Sequence, residues 1–435
     1  MGKNIIQRTT NIVILTALSK YATVYVFNVG LARLLSAEDY GDYKVAETFI
    51  SLASIPVLMG GAGAALTFLP NAAQESKLEL IWEYTRFYLI TILVLSIILA
   101  LTTLCISTYF FDDSSFAHHH PMVYATGLVP IMAITILIGS IFQSNNLIYM
   151  AILPRWICYP ILKLILAIAM YLVIGKVTDS LAIMTTFLAL LFILFYLLLK
   201  VKALGLLQFK PIKNPTSPLV WLKVSIPIMM ILLLQRVFHQ VDIYMIEIYG
   251  SENGVGHYAA AQITSSVLLV IQSSLMIIYS PLMTPAVKNG VDAVRKLNTT
   301  GFRNMLLFSV PSSLFLFIFP EATLSVFGHD EPEAIKTLQI LVPGYFFCVL
   351  YAMPYSWLQY SGREKAVTIV MLMSLLLSIF LNFLLIPEYG IKGAALATSC
   401  MFFLTFITLT LMLKKHLGFY PWSDVWKGKG KGKGK

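Results

Sequence analysis

Charged residues are scarce in this sequence: Asp, Glu, Lys and Arg make up 12% of its 435 residues. A soluble domain carries about 25%, so no water-facing surface of ordinary extent can be built from this chain. Cysteine is rarer still. Cys105, Cys158, Cys348 and Cys400 sit in apolar runs with no CxxC pair. That spacing argues against a disulfide framework or a thiolate metal site, and small buried apolar side chains are expected instead. No G-x-x-x-x-G-K-[ST] stretch occurs, so no nucleotide-driven motor is built in. The outer loops are too short for the acid, base and arginine groups of a membrane polymerase or ligase. The chain is read as a non-enzyme with no cofactor.

What is present is apolar sequence from end to end, 58% of the residues. About 20 apolar residues cross a bilayer as a helix. Runs of that kind lie near 11–35, 45–69, 87–111, 122–149, 156–174, 180–199, 219–248, 257–283, 304–327, 335–360, 366–386 and 391–413. None alternates with a period of two, and only helices or closed barrels satisfy their backbone in lipid. The expectation is an all-α membrane protein of twelve transmembrane helices. Lys3 and Arg8 before the first run imitate a signal peptide, but Lys20 interrupts that run and no small-x-small site follows, so it reads as a retained helix.

Lys and Arg set the orientation. With both termini in the cytoplasm, most of the 31 basic residues fall in inside segments, as the positive-inside rule requires. The net charge of +10 belongs to that membrane face and not to nucleic acid. A basic, Pro-rich stretch divides the chain: residues 1–200 form an N-lobe of helices 1–6, 201–218 a cytoplasmic linker, 219–415 a C-lobe of helices 7–12, and 416–435 a basic cytoplasmic tail ending in KGKGKGKGK. The KGKGKGKGK run is read as disordered, able to touch anionic lipid, and without a role in transport.

The two lobes repeat. SAEDYGDYKVAE from Ser36 and SENGVGHYAAAQ from Ser251 match at an offset of 215, pairing Gly41 with Gly256, Tyr43 with Tyr258 and Ala46 with Ala261. Gln143 and Gln359, like Lys20 and Arg236, stand 216 apart. Six helices per lobe give both lobes one orientation, a transporter plan that puts the substrate site at the lobe interface.

The seventh run carries Arg236, His239 and Asp242 in mid-span. Each ionisable group at the centre of a span costs about 2.5–3.5 kcal/mol, so such groups face a polar interior. The i, i+3, i+6 spacing makes Arg236 and His239 neighbours, and likewise His239 and Asp242.

LARLLSAEDYGDYKVAETF, the Gly-rich LMGGAGAALTFLP, VDIYMIEIYGSENGVGHYAAAQI and LNFLLIPEYGIKGAALATSC, in this order, resemble polysaccharide transporters of the MOP superfamily up to about residue 415. The resemblance implies a MOP/MATE-like fold, two pseudo-symmetric six-helix lobes around a central cavity, in the cell inner (cytoplasmic) membrane. It implies a flippase for polyprenyl-pyrophosphate-linked oligosaccharides such as O-antigen units. Partners would be that lipid-linked oligosaccharide, membrane lipids and other polysaccharide-assembly proteins.

A pyrophosphate headgroup calls for Arg as a planar fork and Lys as a point charge. Lys20 and Arg236, on equivalent helices, are the leading ligands, and Lys163 is third. Snorkelling to the interface is the competing reading for both lysines. His239, Asn28, Gln143 and Gln359 join the substrate-binding set, although helix-to-helix hydrogen bonding is the commoner use of such amides. Asp242 and Glu47 are candidates for H⁺ or Na⁺ coupling. Asp242 could equally be a structural partner of His239, and Glu47 a solvated residue or a partner of Lys20 or Lys44. A cation-coupled multidrug exporter is the alternative function. Gly60, Gly61 and Gly63 are expected at a close helix contact. His118, His119 and His120 beside Asp112 and Asp113 read as a solvated outer loop. A topology reporter fused after residue 115 should score as external; a cytoplasmic score would overturn the orientation.

Overall fold

The computed structural model describes residues 19–70, 72, 78–110, 121–206, 217–250, 253–328 and 331–425. His118, His119, His120, Asp112, Asp113, most of the 201–218 stretch and the Lys–Gly tail lie outside these residues. Among the described residues there is no strand. Residues 19–34 are helical (α1). Then follow α2 (Ala37–Val57), α3 (Gly61–Phe68), α4 (Leu78–Phe110), α5 (Pro121–Thr126), α6 (Val129–Ser144) and α7 (Ile148–Leu153). A π-helical turn, Pro154–Cys158, leads into α8 (Tyr159–Ile174), α9 (Asp179–Ala203) and α10 (Pro218–Tyr249). After these come α11 (Gly254–Ser266), α12 (Leu268–Lys288), α13 (Val291–Ile318), α14 (Pro320–Leu324), α15 (Pro332–Tyr360), α16 (Glu364–Tyr389) and α17 (Ile391–Leu417).

Among the described residues ten helices are long and apolar enough to cross a membrane, and the pair α2–α3, bent by 47°, makes an eleventh. The expected first span is described only from residue 19, where it is helical. Twelve spans are compatible with this count. The chain forms two compact units, one of Thr23–Tyr244 and one of the chain up to Ala22 with that from Met245 onward. Both boundaries fall inside a helix, α1 and α10. The six-and-six partition expected from the sequence follows chain order; the packing follows these two boundaries.

In the Thr23–Tyr244 unit, the bend between α2 and α3 is where α10 approaches. Pro56 precedes the break, and Gly60 has φ +73°. A Cβ on Gly60 would stand 2.1 Å from the Ser225 carbonyl oxygen, and one on Gly63 would stand 2.4 Å from Ile228 Cγ2. Glycine is therefore required twice over at position 60, by conformation and by contact. The neighbouring core is aromatic. Trp221 lies edge-on to Tyr84 at 5.4 Å, and Tyr84 donates a 2.6 Å hydrogen bond to the Gly61 carbonyl. The polar tip of a buried ring thus finds a backbone acceptor at the start of α3.

In the other unit α15 is central: 61% of its apolar stretch is buried, against 28% for α16. Gly344 of α15 meets Ser399 of α17, where an added Cβ would stand 2.7 Å from the Ser399 Cα. The LNFLLIPEYGIKGAALATSC stretch gets its glycines from backbone geometry. Gly390 turns the chain at φ +57°, and a Cβ on Gly393 would lie 2.2 Å from the Leu385 carbonyl oxygen.

Two expectations change. Only Cys348 is buried, while Cys105, Cys158 and Cys400 are exposed. An apolar run in a membrane protein has a lipid face as apolar as its core, so hydropathy does not predict burial; Leu172 and Val173 show this at 77% and 84% exposure. The tail also begins later than 416. Residues 418–425 fold back as a strap in which Phe419 and Val425 are buried. The Pro421 carbonyl accepts from Asn298 Nδ2 at 2.8 Å, and Trp357 Nε1 donates to Asn298 Oδ1 at 3.1 Å.

Candidate functional site

The Ser36 hydroxyl accepts from the Asp39 amide at 3.1 Å and starts α2 as its N-cap. One face of α2 then presents Tyr40, Tyr43, Lys44 and Glu47, at i, i+3, i+4 and i+7. This face meets α1, α8 and α9. Glu47 is its hub. Lys44 Nζ donates to Glu47 Oε2 at 2.6 Å, and Lys163 Nζ of α8 donates to Oε1 at 2.8 Å. The Tyr43 hydroxyl also donates to Oε1, at 3.2 Å.

Lys163 is 2% exposed. Its ammonium donates to the Tyr43 hydroxyl at 2.9 Å and lies 4.0 Å over the Phe27 ring and 4.7 Å over the Tyr159 ring. A buried ammonium loses hydration worth several kcal/mol. A carboxylate, a hydroxyl and two ring faces replace it here, and cation–π contacts contribute about 2 kcal/mol when desolvated. Lys163 therefore does not snorkel. Lys44 is placed by Asn28, whose Oδ1 accepts from Lys44 Nζ at 3.3 Å and from the Tyr40 hydroxyl at 3.2 Å. Asn28 Nδ2 donates to the Val24 carbonyl at 2.7 Å, which fixes the amide's orientation.

Two lysines share one carboxylate, so the cluster keeps a net positive charge. Arg236 of α10 lies within electrostatic reach of Glu47, and Arg155 within reach of Arg236. Arg155 sits in the π-helical turn Pro154–Cys158, inside the continuous span Tyr149–Ile174. A π turn inserts one residue into a helix and is frequent at functional sites. The sequence places Arg155 in a cytoplasmic loop; the extra turn carries it into the span. The Thr23–Tyr244 unit thus sets Lys44 and Lys163 on Glu47, with Arg236 in electrostatic reach of that carboxylate and Arg155 in reach of Arg236.

The remaining candidates are distributed otherwise. Arg236 and His239 are exposed on α10, and Asp242 is buried at 3% exposure, so the i+6 residue has drifted to the packed side. Lys20 belongs to the other unit, its ammonium 5.4 Å from the Tyr21 ring centre. Gln143 and Gln359 are both exposed on the last turn of their helices, α6 and α15, the same place in each repeat. Sequence reasoning missed Lys44, Tyr40, Tyr43 and Tyr159 as site residues. The first three carry a signal: Y-x-x-Y-K-x-x-E puts two tyrosines and an ion pair on one helical face.

The repeat is visible in a hydrogen bond. Tyr43 and Thr186 are paired at 3.3 Å, and Tyr258 and Thr398 at 3.4 Å. At the same offset of 215, Lys44 becomes Ala259 and Glu47 becomes Gln262. The scaffold is duplicated and this ion pair is not.

With that geometry established, the comparisons fall into place. Residues 8–287, well over half of the chain, match the family described as Polysaccharide biosynthesis protein. The chain belongs to that family. The MatE family model matches residues 227–384. The uncharacterized membrane protein MJ1375 of Methanocaldococcus jannaschii is 28% identical over 420 residues, covering 93% of this chain and 98% of that protein. Among solved structures, an inward-facing multidrug resistance MATE family transporter of the MOP superfamily has a TM-score of 0.74 at 13% identity, covering 96% of this chain and 100% of that one. The lipid II flippase MurJ has a TM-score of 0.69 at 16% identity, covering 92% and 87%. A MOP superfamily transporter from Pyrococcus furiosus, described as having a binding pocket of reverse polarity, has a TM-score of 0.62 at 14% identity, covering 93% and 94%. This family member therefore has the MOP transporter fold and is a multi-pass membrane protein.

The charge count predicts an asymmetry between two variants. Lys163→Met leaves Glu47 paired with Lys44 and should change thermal stability little. Glu47→Gln leaves two lysines facing each other and should cost roughly 2–3 kcal/mol, less than for a wholly buried pair because Glu47 is 29% exposed. Thermal unfolding in detergent checks this; equal losses would contradict the shared-carboxylate reading.

Proposed function

We propose that this protein is a flippase that carries a polyprenyl-pyrophosphate-linked oligosaccharide, such as an O-antigen unit, from the cytoplasmic to the outer leaflet by alternating access. The excess of cations around Glu47 carries this reading. Lys44 and Lys163 on one carboxylate, with Arg236 and Arg155 in electrostatic reach of one another in the same unit, form a positive centre inside a membrane-spanning unit. Such a centre is costly unless an anion completes it, and a pyrophosphate is an anion with two acceptor-rich groups. Arg236 and Arg155 are suited to hold it, since a guanidinium meets phosphate oxygens with two parallel donors. The Lys44–Glu47–Lys163 group sets the local charge behind them. The match to the polysaccharide biosynthesis family and the fold shared with a lipid II flippase support the same cargo class.

Lys20, on the helix equivalent to α10, is the further ligand in this scheme. His239, Asn28, Gln143 and Gln359 are the polar groups for sugar or positioning, Asn28 through its hold on Lys44. Asp242 is the residue proposed for H⁺ or Na⁺ coupling, because Glu47 is already engaged by two lysines. The protein would work in the cytoplasmic membrane with both termini inside, alongside the enzymes that assemble the glycan. The MatE match over residues 227–384 favours a second reading, a cation-coupled exporter of small molecules. Cationic drugs would meet repulsion at the cluster described above, so the anionic cargo is the better fit.

Arg236→Ala should abolish surface display of the glycan in a strain that depends on this transporter, with the protein still inserted at normal level. Normal surface glycan would refute the proposal. Efflux of a cationic dye that survives in the variant would shift the reading to the exporter.

A further inference from the structure

A second charged feature lies at the start of α13, in the unit that contains the C-terminus. The first three turns of α13 carry Asp292, Arg295, Lys296, Thr299, Thr300 and Arg303, at spacings of three and four that put them on one side. With Asp424 and Val425 of the 418–425 strap they line a groove of about 380 Å³. From Asp292 to Arg303 the helix rises eleven steps of about 1.5 Å, which makes the groove about 16 Å long.

The partners in the groove are unequal. Arg295 Nε donates to Asp424 Oδ2 at 2.5 Å, which holds the strap in place. Thr299 donates to the Arg295 carbonyl at 2.8 Å and Thr300 to the Lys296 carbonyl at 3.2 Å, so these hydroxyl protons are spent on the helix. Lys296 and Arg303 are exposed and form no ion pair among the described residues. Two cations are left to meet an anion. Beyond Arg303 the helix turns bare and apolar: Leu307 is 63% and Phe308 is 53% exposed. Thr300, Arg303 and Leu307, at i, i+3 and i+7, lie along one stripe, so the groove opens directly onto the lipid-facing part of the span. An anion with hydrocarbon attached fits that continuity better than a free one.

We propose that this groove seats the phosphate of an anionic phospholipid between Lys296 and Arg303, with the acyl chains lying along Leu307 and Phe308. Basic pockets at the ends of spans recognise anionic headgroups in this way. Asp424 limits the site, because it competes for Arg295. The site is separate from the Glu47 cluster and does not depend on the cargo proposed for it.

The test is native mass spectrometry of the full-length protein in detergent, titrated with phosphatidylglycerol or with phosphatidylcholine of the same chains. The wild type should retain phosphatidylglycerol preferentially. Lys296→Ala with Arg303→Ala should weaken that retention about 25-fold, about fivefold for each basic residue. Asp424→Asn keeps an acceptor for Arg295 but removes the charge, and should tighten retention severalfold. Equal retention of the two lipids, an unchanged double variant, or weaker retention in Asp424→Asn would overturn the proposal. Displacement of phosphatidylglycerol by glycerol phosphate at equal concentration would assign the groove to a soluble anion and overturn it as well.

Discussion

One carboxylate shared by two lysines is the constraint on which the Thr23–Tyr244 unit turns. Glu47 brings α2 to α8 through Lys163 at 2.8 Å, and Lys44 brings the same carboxylate toward α1 through Asn28. The buried side of this arrangement is well satisfied: Lys163 has a carboxylate, a hydroxyl and two rings around it. The open side is not neutral. Charge therefore accumulates where helices from three parts of the sequence meet, and Arg155 and Arg236 add to it. A hydrophobic core of the same volume would hold the helices as well or better. What the charged version adds is a positive potential within a medium that otherwise excludes ions.

The repeat sharpens this point. Tyr43 with Thr186 and Tyr258 with Thr398 make the same contact in the two halves of the sequence, so the packing frame does not need the ions. Gln262 and Ala259 stand where Glu47 and Lys44 would be. The charges stand on one copy of a repeated frame.

The helical class was legible because nearly every span is an apolar run, and lipid leaves the backbone no alternative to internal hydrogen bonding. Gly60 and Gly63 were legible as a close contact, and their added Cβ atoms would indeed strike α10. The site was read less well, for reasons that can be named. Lys44 falls just before the second apolar run, which begins near residue 45, so by position it looks like a loop residue, whereas the N-cap at Ser36 starts the helix eight residues earlier. Arg155 follows a proline, which usually marks a helix boundary, and a π turn instead carries the span through it. Lys163 and Glu47 are 116 residues apart, and no local pattern links them. The strap at 418–425 was hidden by its basic neighbours, although its Phe419, Pro421 and Val425 are apolar.

The central claim is that the positive excess around Glu47 serves a phosphorylated lipid. Binding of polyprenyl diphosphate and of the uncharged polyprenol of equal length, to the protein in nanodiscs across a series of salt concentrations, tests it most directly. The diphosphate should bind far more tightly, with an advantage that shrinks as salt rises. Equal affinity for the two lipids at every salt concentration would contradict it.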